Sequence, residues 1–150
     1  MKIREANKFD INYILDMLRD FRNETPIDLM RECDNEDYVN SIFNHILLGG
    51  GILYIAEKDE PIGMIAGIKN QSIWDPELKF LQELVFWVEP EHRNSSAGYR
   101  LIQAYNKKAQ ELVDEDKIKM YTITKMATSP DLNFERFGYR KSEEVWVGGI

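Results

Sequence analysis

Cysteine is nearly absent from this 150-residue chain: Cys33 stands alone, so no internal disulfide can form, and a reducing cytoplasm is the expected compartment. Histidine is almost as scarce. His45 and His92 give no metal-ligand spacing, so no metal is expected. Long apolar runs are missing, which excludes a membrane-spanning helix. Met1-Lys2-Ile3-Arg4-Glu5 does not lead into the apolar stretch that a signal peptide needs. Proline and glycine do not gather into a linker and no segment repeats, so one continuous domain over residues 1–150 is expected, long enough to bury its own core. Positive charge is in deficit: 19 Lys and Arg face 26 Asp and Glu, a formal net charge of −7, which speaks against a polyanionic partner such as nucleic acid.

Apolar periodicity supplies the elements. Ile3 sits in a short first strand, and Ile11, Ile14, Leu15, Leu18 and Phe21 recur at helical spacing behind Asp10, a candidate N-cap. Arg22 to Asp34, with Pro26 and many charges, reads as an irregular or partly helical connection. Tyr38, Val39, Ile42, Phe43, Ile46 and Leu47 mark a second helix, stopped by Gly49-Gly50-Gly51. The period then becomes that of strands: Ile52 to Ala56, a turn at Lys58 to Pro61, and Ile62 to Ile68 predict a hairpin. Phe80 to Val88 is almost unbroken apolar sequence and reads as a central strand buried on both faces, ending at Pro90. Leu101, Ile102, Tyr105, Ala109, Leu112 and Val113 form one stripe of a long helix that starts soon after Ser96. Lys119 to Thr124 predicts another strand, Asp131 to Phe137 a short helix ended by Gly138, and Glu144 to Val147 a last strand. A strand, helix and strand in this order make the strands at Val88 and Met120 parallel. The expected class is α/β or α+β, with a mixed, mostly antiparallel central sheet flanked by helices.

The segment Leu84-Val85-Phe86-Trp87-Val88-Glu89-Pro90, followed by Arg93-Asn94-Ser95-Ser96-Ala97-Gly98-Tyr99, resembles the signature of the GNAT (GCN5-related N-acetyltransferase) family. That signature is an apolar strand ending before Pro, then Arg or Gln, spaced glycines and a helix. A strand that turns into a helix aims backbone N–H groups and the positive end of the helix dipole at one point, which makes an anion site. Ile3-Arg4-x-Ala6 with Asp10 and Ile14 is similar to the family's opening, and Phe137-Gly138-Tyr139 to its closing Leu-Gly-Phe, so the resemblance covers nearly the whole chain. It implies a sheet with splayed central strands and acetyl-coenzyme A as cosubstrate. It also implies direct transfer of the acetyl group, in a ternary complex, to an amine of a small molecule or peptide. By the same resemblance the backbone at Phe86, Trp87 and Val88 pairs with the pantetheine arm, while Arg93 and Asn94 to Tyr99 wrap the pyrophosphate.

Amine acetylation needs the acceptor nitrogen uncharged, so a carboxylate usually takes its proton. Glu83 is the first candidate because it interrupts an apolar strand, where desolvation would raise its pKa; a solvent-facing strand edge would fit it equally. Glu89 is a weaker alternative. The family often carries a tyrosine four residues before the closing glycine, to return a proton to the thiolate; here that position is Phe134, whose ring can pack against the cofactor but cannot donate a proton. An asparagine and a first motif glycine are likewise replaced by Ala127 and Ser96. Thr128, Ser129 and Tyr121 could supply a hydroxyl instead. Trp74, Trp87 and Trp146 could line the acceptor cleft or belong to the core. These departures leave two readings open, an N-acetyltransferase or a catalytically degenerate binding module. A third, an acidic mimic of nucleic acid, rests on net charge alone. Asp28, Glu32, Asp34, Glu36 and Asp37 hint at a cationic acceptor, and a homodimer is left open.

Overall fold

Strands β1 (Lys2–Glu5), β2 (Gly51–Lys58), β3 (Glu60–Gln71), β4 (Lys79–Val88) and β5 (Met120–Thr122) line up in chain order in one sheet of the computed structural model. The structure describes residues 1–130 and 132–150; Asp131, where the sequence pattern opens its last helix, lies outside the described residues. β1 to β4 run antiparallel, and the long connection back to β5 makes that last pair parallel, as the β-α-β order requires. The tight turn between β2 and β3 places Asp59 at φ 65°, a conformation that Asp tolerates better than most residues.

Helices cover both faces. α1 (Ile11–Asn23) and α3 (Glu36–His45) bury Ile14, Met17 and Phe43 against Leu53, Ile55, Met64, Val85 and Trp87 on one face. α4 (Ala97–Asp114) buries Leu101, Ile102, Tyr105 and Ala109 against Ile52, Ile65, Leu81 and Val88 on the other. The connection between α1 and α3 contains a single helical turn, α2 (Asp28–Arg31).

Three expectations change. Asp10 does not cap α1 with its side chain. Asn7 caps a one-turn helix there, and Asp10 is buried, accepting two hydrogen bonds of 2.8 Å from Arg4 and one from the Asn7 amide. Arg4 also donates to Glu57 at 3.1 Å, so one guanidinium ties β1, the turn before α1 and β2 together, and its hydrogen bonds hold the Asp10 carboxyl below the usual carboxylate range. The last predicted helix is a single 3₁₀ turn, Phe134–Phe137, ended by Gly138 at φ 88°. The predicted strand Glu144–Val147 does not form: residues 140–150 have no regular structure and all are exposed. A strand needs a neighbour's backbone, and among the described residues this segment pairs with none.

Candidate active site

β4 carries the site because its two halves do different work. It pairs with β5 only through Phe80, Leu81 and Gln82, opposite Met120, Tyr121 and Thr122. Beyond Gln82 the two strands part, and β4 runs on alone to Val88 along that edge. The backbone groups that would have continued the ladder there face a gap.

A bulge divides β4 at the same place. Ala66 lies opposite Val85 while Gly67 lies opposite Glu83, so Leu84 is an extra residue. Without it, Leu81, Glu83, Val85 and Trp87 would share one face. With it, Leu81 and Glu83 turn toward α4, and Val85 and Trp87 turn toward α1. Gly67 makes room for this arrangement: a Cβ there would stand 2.6 Å from the Tyr105 hydroxyl, which occupies the space beside Glu83.

Glu83 is 5% exposed, and its Oε2 accepts the Thr124 amide at 3.0 Å. Burial pushes its carboxyl up to about 7, against the smaller opposing effect of that amide. The neighbouring Tyr105 and Tyr139 hydroxyls are raised, first by burial and further by the Glu83 charge. The Tyr139 hydroxyl donates to Asn106 on α4.

The gap opens into a cleft of about 1120 Å³ lined from both faces of the sheet. Phe21, Glu24 and Trp87 bound it on the α1 side, and Phe86, Val88, Gly98 and Tyr99 on the α4 side. Residues Met126, Thr128, Ser129 and Pro130, which follow β5, form another wall. The Thr128 hydroxyl donates to the Glu24 carbonyl at 3.1 Å and so fastens that wall to the end of α1.

At the start of α4 the Ser95 hydroxyl donates to the His92 carbonyl at 2.6 Å and accepts the Ala97 amide at 3.2 Å. The next amides, Gly98 and Tyr99, belong to the first turn and have no carbonyl one turn back to bond. A Cβ on Gly98 would sit 3.4 Å from the Phe86 ring, so this helix start lies close against β4. Amides of a first helical turn attract an anion, and here they stand beside the unpaired edge of β4.

The sequence-derived residues do not all converge. Phe86, Trp87, Val88, Arg93, Ser95, Gly98 and Tyr99 line the cleft; Glu83, Asn94, Ser96, Ala97 and Phe134 do not. Ala97 is fully buried in the core under α4, and Asn94 and Ser96 are exposed. Phe134 packs against that core with its ring 6.1 Å from Tyr139. Glu89 is half-buried, and burial raises its pKa. Trp74 and Trp146 are 87% and 85% exposed and lie away from the cleft.

Arg93 has a different set of partners from the one expected of a phosphate ligand alone. Its Nε donates to the Val88 carbonyl at 2.9 Å, and its terminal nitrogen donates to both Glu24 oxygens at 3.1 and 3.2 Å. The guanidinium also lies 4.7 Å from the centre of the Trp87 ring. Glu24 escaped the sequence reading because 69 positions separate it from Arg93. Lys107 and Arg136 are further cations on the cleft wall. Lys107 had a signal: Tyr99, Gln103 and Lys107 follow one another at helical spacing on one face of α4, and Gln103 donates to the Tyr99 hydroxyl at 3.0 Å. Among the described residues no three His, Cys, Asp or Glu side chains could hold a metal ion, and no helix is long and apolar enough to cross a membrane.

A mixed sheet with a cleft where its fourth and fifth strands part, and a helix start facing that cleft, is the architecture of an acyl-coenzyme A-dependent transferase. The chain belongs to the acetyltransferase (GNAT) family, whose model matches residues 14–139. No curated protein matches, but solved structures share the fold. The GCN5-related N-acetyltransferase of Ralstonia eutropha superposes with a TM-score of 0.74 at 17% identity, covering 98% of this chain and 97% of its own. A predicted acetyltransferase with acetyl-CoA from Clostridium acetobutylicum superposes at 0.69 and 16%, covering 98% and 94%. An aminoglycoside acetyltransferase from an uncultured soil sample, in complex with trehalose, superposes at 0.65 and 13%, covering 99% and 93%.

Proposed function

We propose that this chain, as one domain over residues 1–150, is an N-acetyltransferase that moves an acetyl group from acetyl-coenzyme A directly to an amine of a small molecule or peptide. The observation that carries this reading is the cleft's lining, which draws on both faces of the sheet through the gap beside β4. A donor held on the α4 side and an acceptor entering from the α1 side meet there without a covalent enzyme intermediate.

Acetyl-coenzyme A supplies an activated thioester. The chain's own residues do the rest. The Gly98 and Tyr99 amides at the start of α4 hold the pyrophosphate, with Arg93, Asn94, Ser95, Ser96 and Ala97 shaping the turn, and Lys107 and Arg136 adding positive charge. The free edge of β4 at Phe86, Trp87 and Val88 holds the pantetheine arm, and one of its amides steadies the negative charge that develops on the carbonyl oxygen.

Glu83 is the proposed proton acceptor. It lies behind the cleft wall, so it reaches the amine through a bridging water rather than by contact. The amine nitrogen bonds to the acetyl carbon, the carbon–sulfur bond breaks, and the amine's proton passes to Glu83. Phe134 has no proton to return to the thiolate, so sulfur leaves without an acid's help, which a thiol tolerates better than an alcohol. Among the described residues Glu24 is the one carboxylate on the cleft wall, and it faces the acceptor side, which suits a cationic amine. The single exposed thiol of Cys33 suits a reducing cytoplasm.

The test couples acetyl-coenzyme A calorimetry with thioester-dependent release of free thiol across polyamines, aminoglycosides and peptide N-termini. Binding with turnover on at least one acceptor is expected. Tight cofactor binding without thiol release on any of them supports a binding module instead.

A further inference from the structure

Acetyl transfer leaves a negative charge on sulfur, and no acid stands ready to protonate it. A hydrogen bond from a donor that keeps its own proton lowers the energy of such a charge, provided the donor sits on the cleft wall at the depth of the sulfur.

Depth along the cleft is marked by α4. Gly98 stands against Phe86 at the outer end, whereas the Tyr105 hydroxyl stands beside Gly67 and donates to the Thr122 carbonyl at 3.4 Å, level with the point where β4 and β5 part. Asn106, the next residue, lines the cleft. It follows Gly98 by eight residues of helix, roughly 12 Å along the axis. A pyrophosphate held at Gly98 and an arm laid along β4 bring the sulfur toward the same inner end.

Most of the donors nearby are already engaged. The Tyr105, Tyr121 and Tyr139 hydroxyls donate to the Thr122 carbonyl, to Gln110 and to Asn106, and none of the three lines the cleft. Of the side chains that do, Ser95, Gln103 and Thr128 donate to the His92 carbonyl, the Tyr99 hydroxyl and the Glu24 carbonyl. Ser129 follows Thr128 on the segment fastened to Glu24, the partner of Arg93 at the outer end.

Asn106 is different. Its Oδ1 accepts the Tyr139 hydroxyl, which burial keeps protonated, and among the described residues its Nδ2 has no partner. The Tyr139 ring is itself held between neighbours, with its centre 5.6 Å from that of Tyr121 and 6.1 Å from that of Phe134. A fixed hydroxyl on Oδ1 leaves the N–H end of the amide for the cleft. We propose that the Asn106 amide nitrogen donates a hydrogen bond to the coenzyme A sulfur as the carbon–sulfur bond breaks, with Tyr139 as its positioning residue, an inference that rests on the acetyltransferase reading. Both electrons of the broken bond go to sulfur, and Asn106 keeps its proton. The amine's proton stays on Glu83 until water takes it, and the released thiolate is protonated by solvent.

The bound thiol reports this bond without any acceptor. In a Cys33→Ser background, coenzyme A bound to the protein is titrated by the ultraviolet absorbance of its thiolate, with the desulfo-coenzyme A complex as blank, while calorimetry measures binding. Asn106→Leu should leave about tenfold less thiolate at neutral pH than the parent, the scale of one hydrogen bond to a charged group. Tyr139→Phe should lose less. Asn106→Asp, which keeps Oδ1 and exchanges the donor for a like charge, should lose more, and Ser129→Ala should match the parent. Coenzyme A that binds the parent and both Asn106 variants with the same thiolate titration overturns this inference and leaves the acetyltransferase reading standing. So does a loss produced by Ser129→Ala and not by Asn106→Leu. A parent that binds no coenzyme A overturns both.

Discussion

The Oε2 atom of Glu83 on β4 accepts the backbone amide of Thr124 at 3.0 Å, across the point where β4 and β5 stop pairing. A side chain thus replaces the next rung of the ladder and sets where the gap begins. The same carboxylate is buried, and that burial pushes its pKa up to about 7.

Glu83→Gln keeps the shape and removes the proton acceptor. Turnover at neutral pH should fall by about 10²-fold or more, the usual scale of general-base help. The parent's rate should rise with pH through about 7 and then level off, and the variant should lose that inflection. An identical pH profile in both proteins would transfer the role to Glu89 or to no residue.

Stability should follow the same group with the opposite sign. The folded protein keeps a proton on Glu83 up to about 7, whereas the unfolded chain releases it near 4.5. Stability is therefore full below 4.5 and declines as the pH climbs through 7, by at most roughly 3 kcal/mol. Melting curves between pH 5 and pH 8 should show the parent losing roughly 5–10 °C more than Glu83→Gln does.

Gly98→Glu places a carboxylate beside the amides at the start of α4 and against Phe86. Calorimetry should find acetyl-coenzyme A bound at least about tenfold more weakly, since like charge at an anion site costs about 1.4 kcal/mol or more. Gly98→Ala is the control. Its methyl makes only ordinary contact at 3.4 Å, so parental affinity is expected.

Glu24→Gln frees Arg93 and removes the acceptor-side carboxylate. Glu24 and Arg93 are 43% and 35% exposed at their side chains, so the effect is modest: KM for a cationic amine should rise by roughly fivefold, the ceiling for a solvent-exposed pair, with kcat held. Affinity for acetyl-coenzyme A should stay level or improve, because the Arg93 charge is no longer shared. A KM that does not move would remove Glu24 from the acceptor site.

Arg4→Met leaves Asp10 buried without its counter-charge. Loss of about 3 kcal/mol is expected, seen as a melting temperature lower by roughly 10 °C, because the removed partner leaves a desolvated carboxylate behind. Acetyl-coenzyme A affinity at a temperature well below the transition should not change.

The sequence by itself determined the elements that depend on near neighbours. Short runs of apolar, strand-forming residues placed β2 to β4, spacing of three and four placed α1, α3 and α4, Pro90 ended β4, and the β-α-β order made β5 parallel. Gly98 next to Phe86 and Val88 in the cleft was legible for the same reason, since strand, turn and helix start are consecutive in the chain. Only the tertiary structure decided which way Glu83 faces, because the bulge at Leu84 exists to fit β4 to β3 and leaves no trace in local composition. It alone joined Glu24 to Arg93, whose meeting depends on how α1 packs across the sheet. And it alone left Val145 to Val147 unpaired: a strand's hydrogen bonds lie outside its own segment, so alternation can predict the strand's readiness but not its partner.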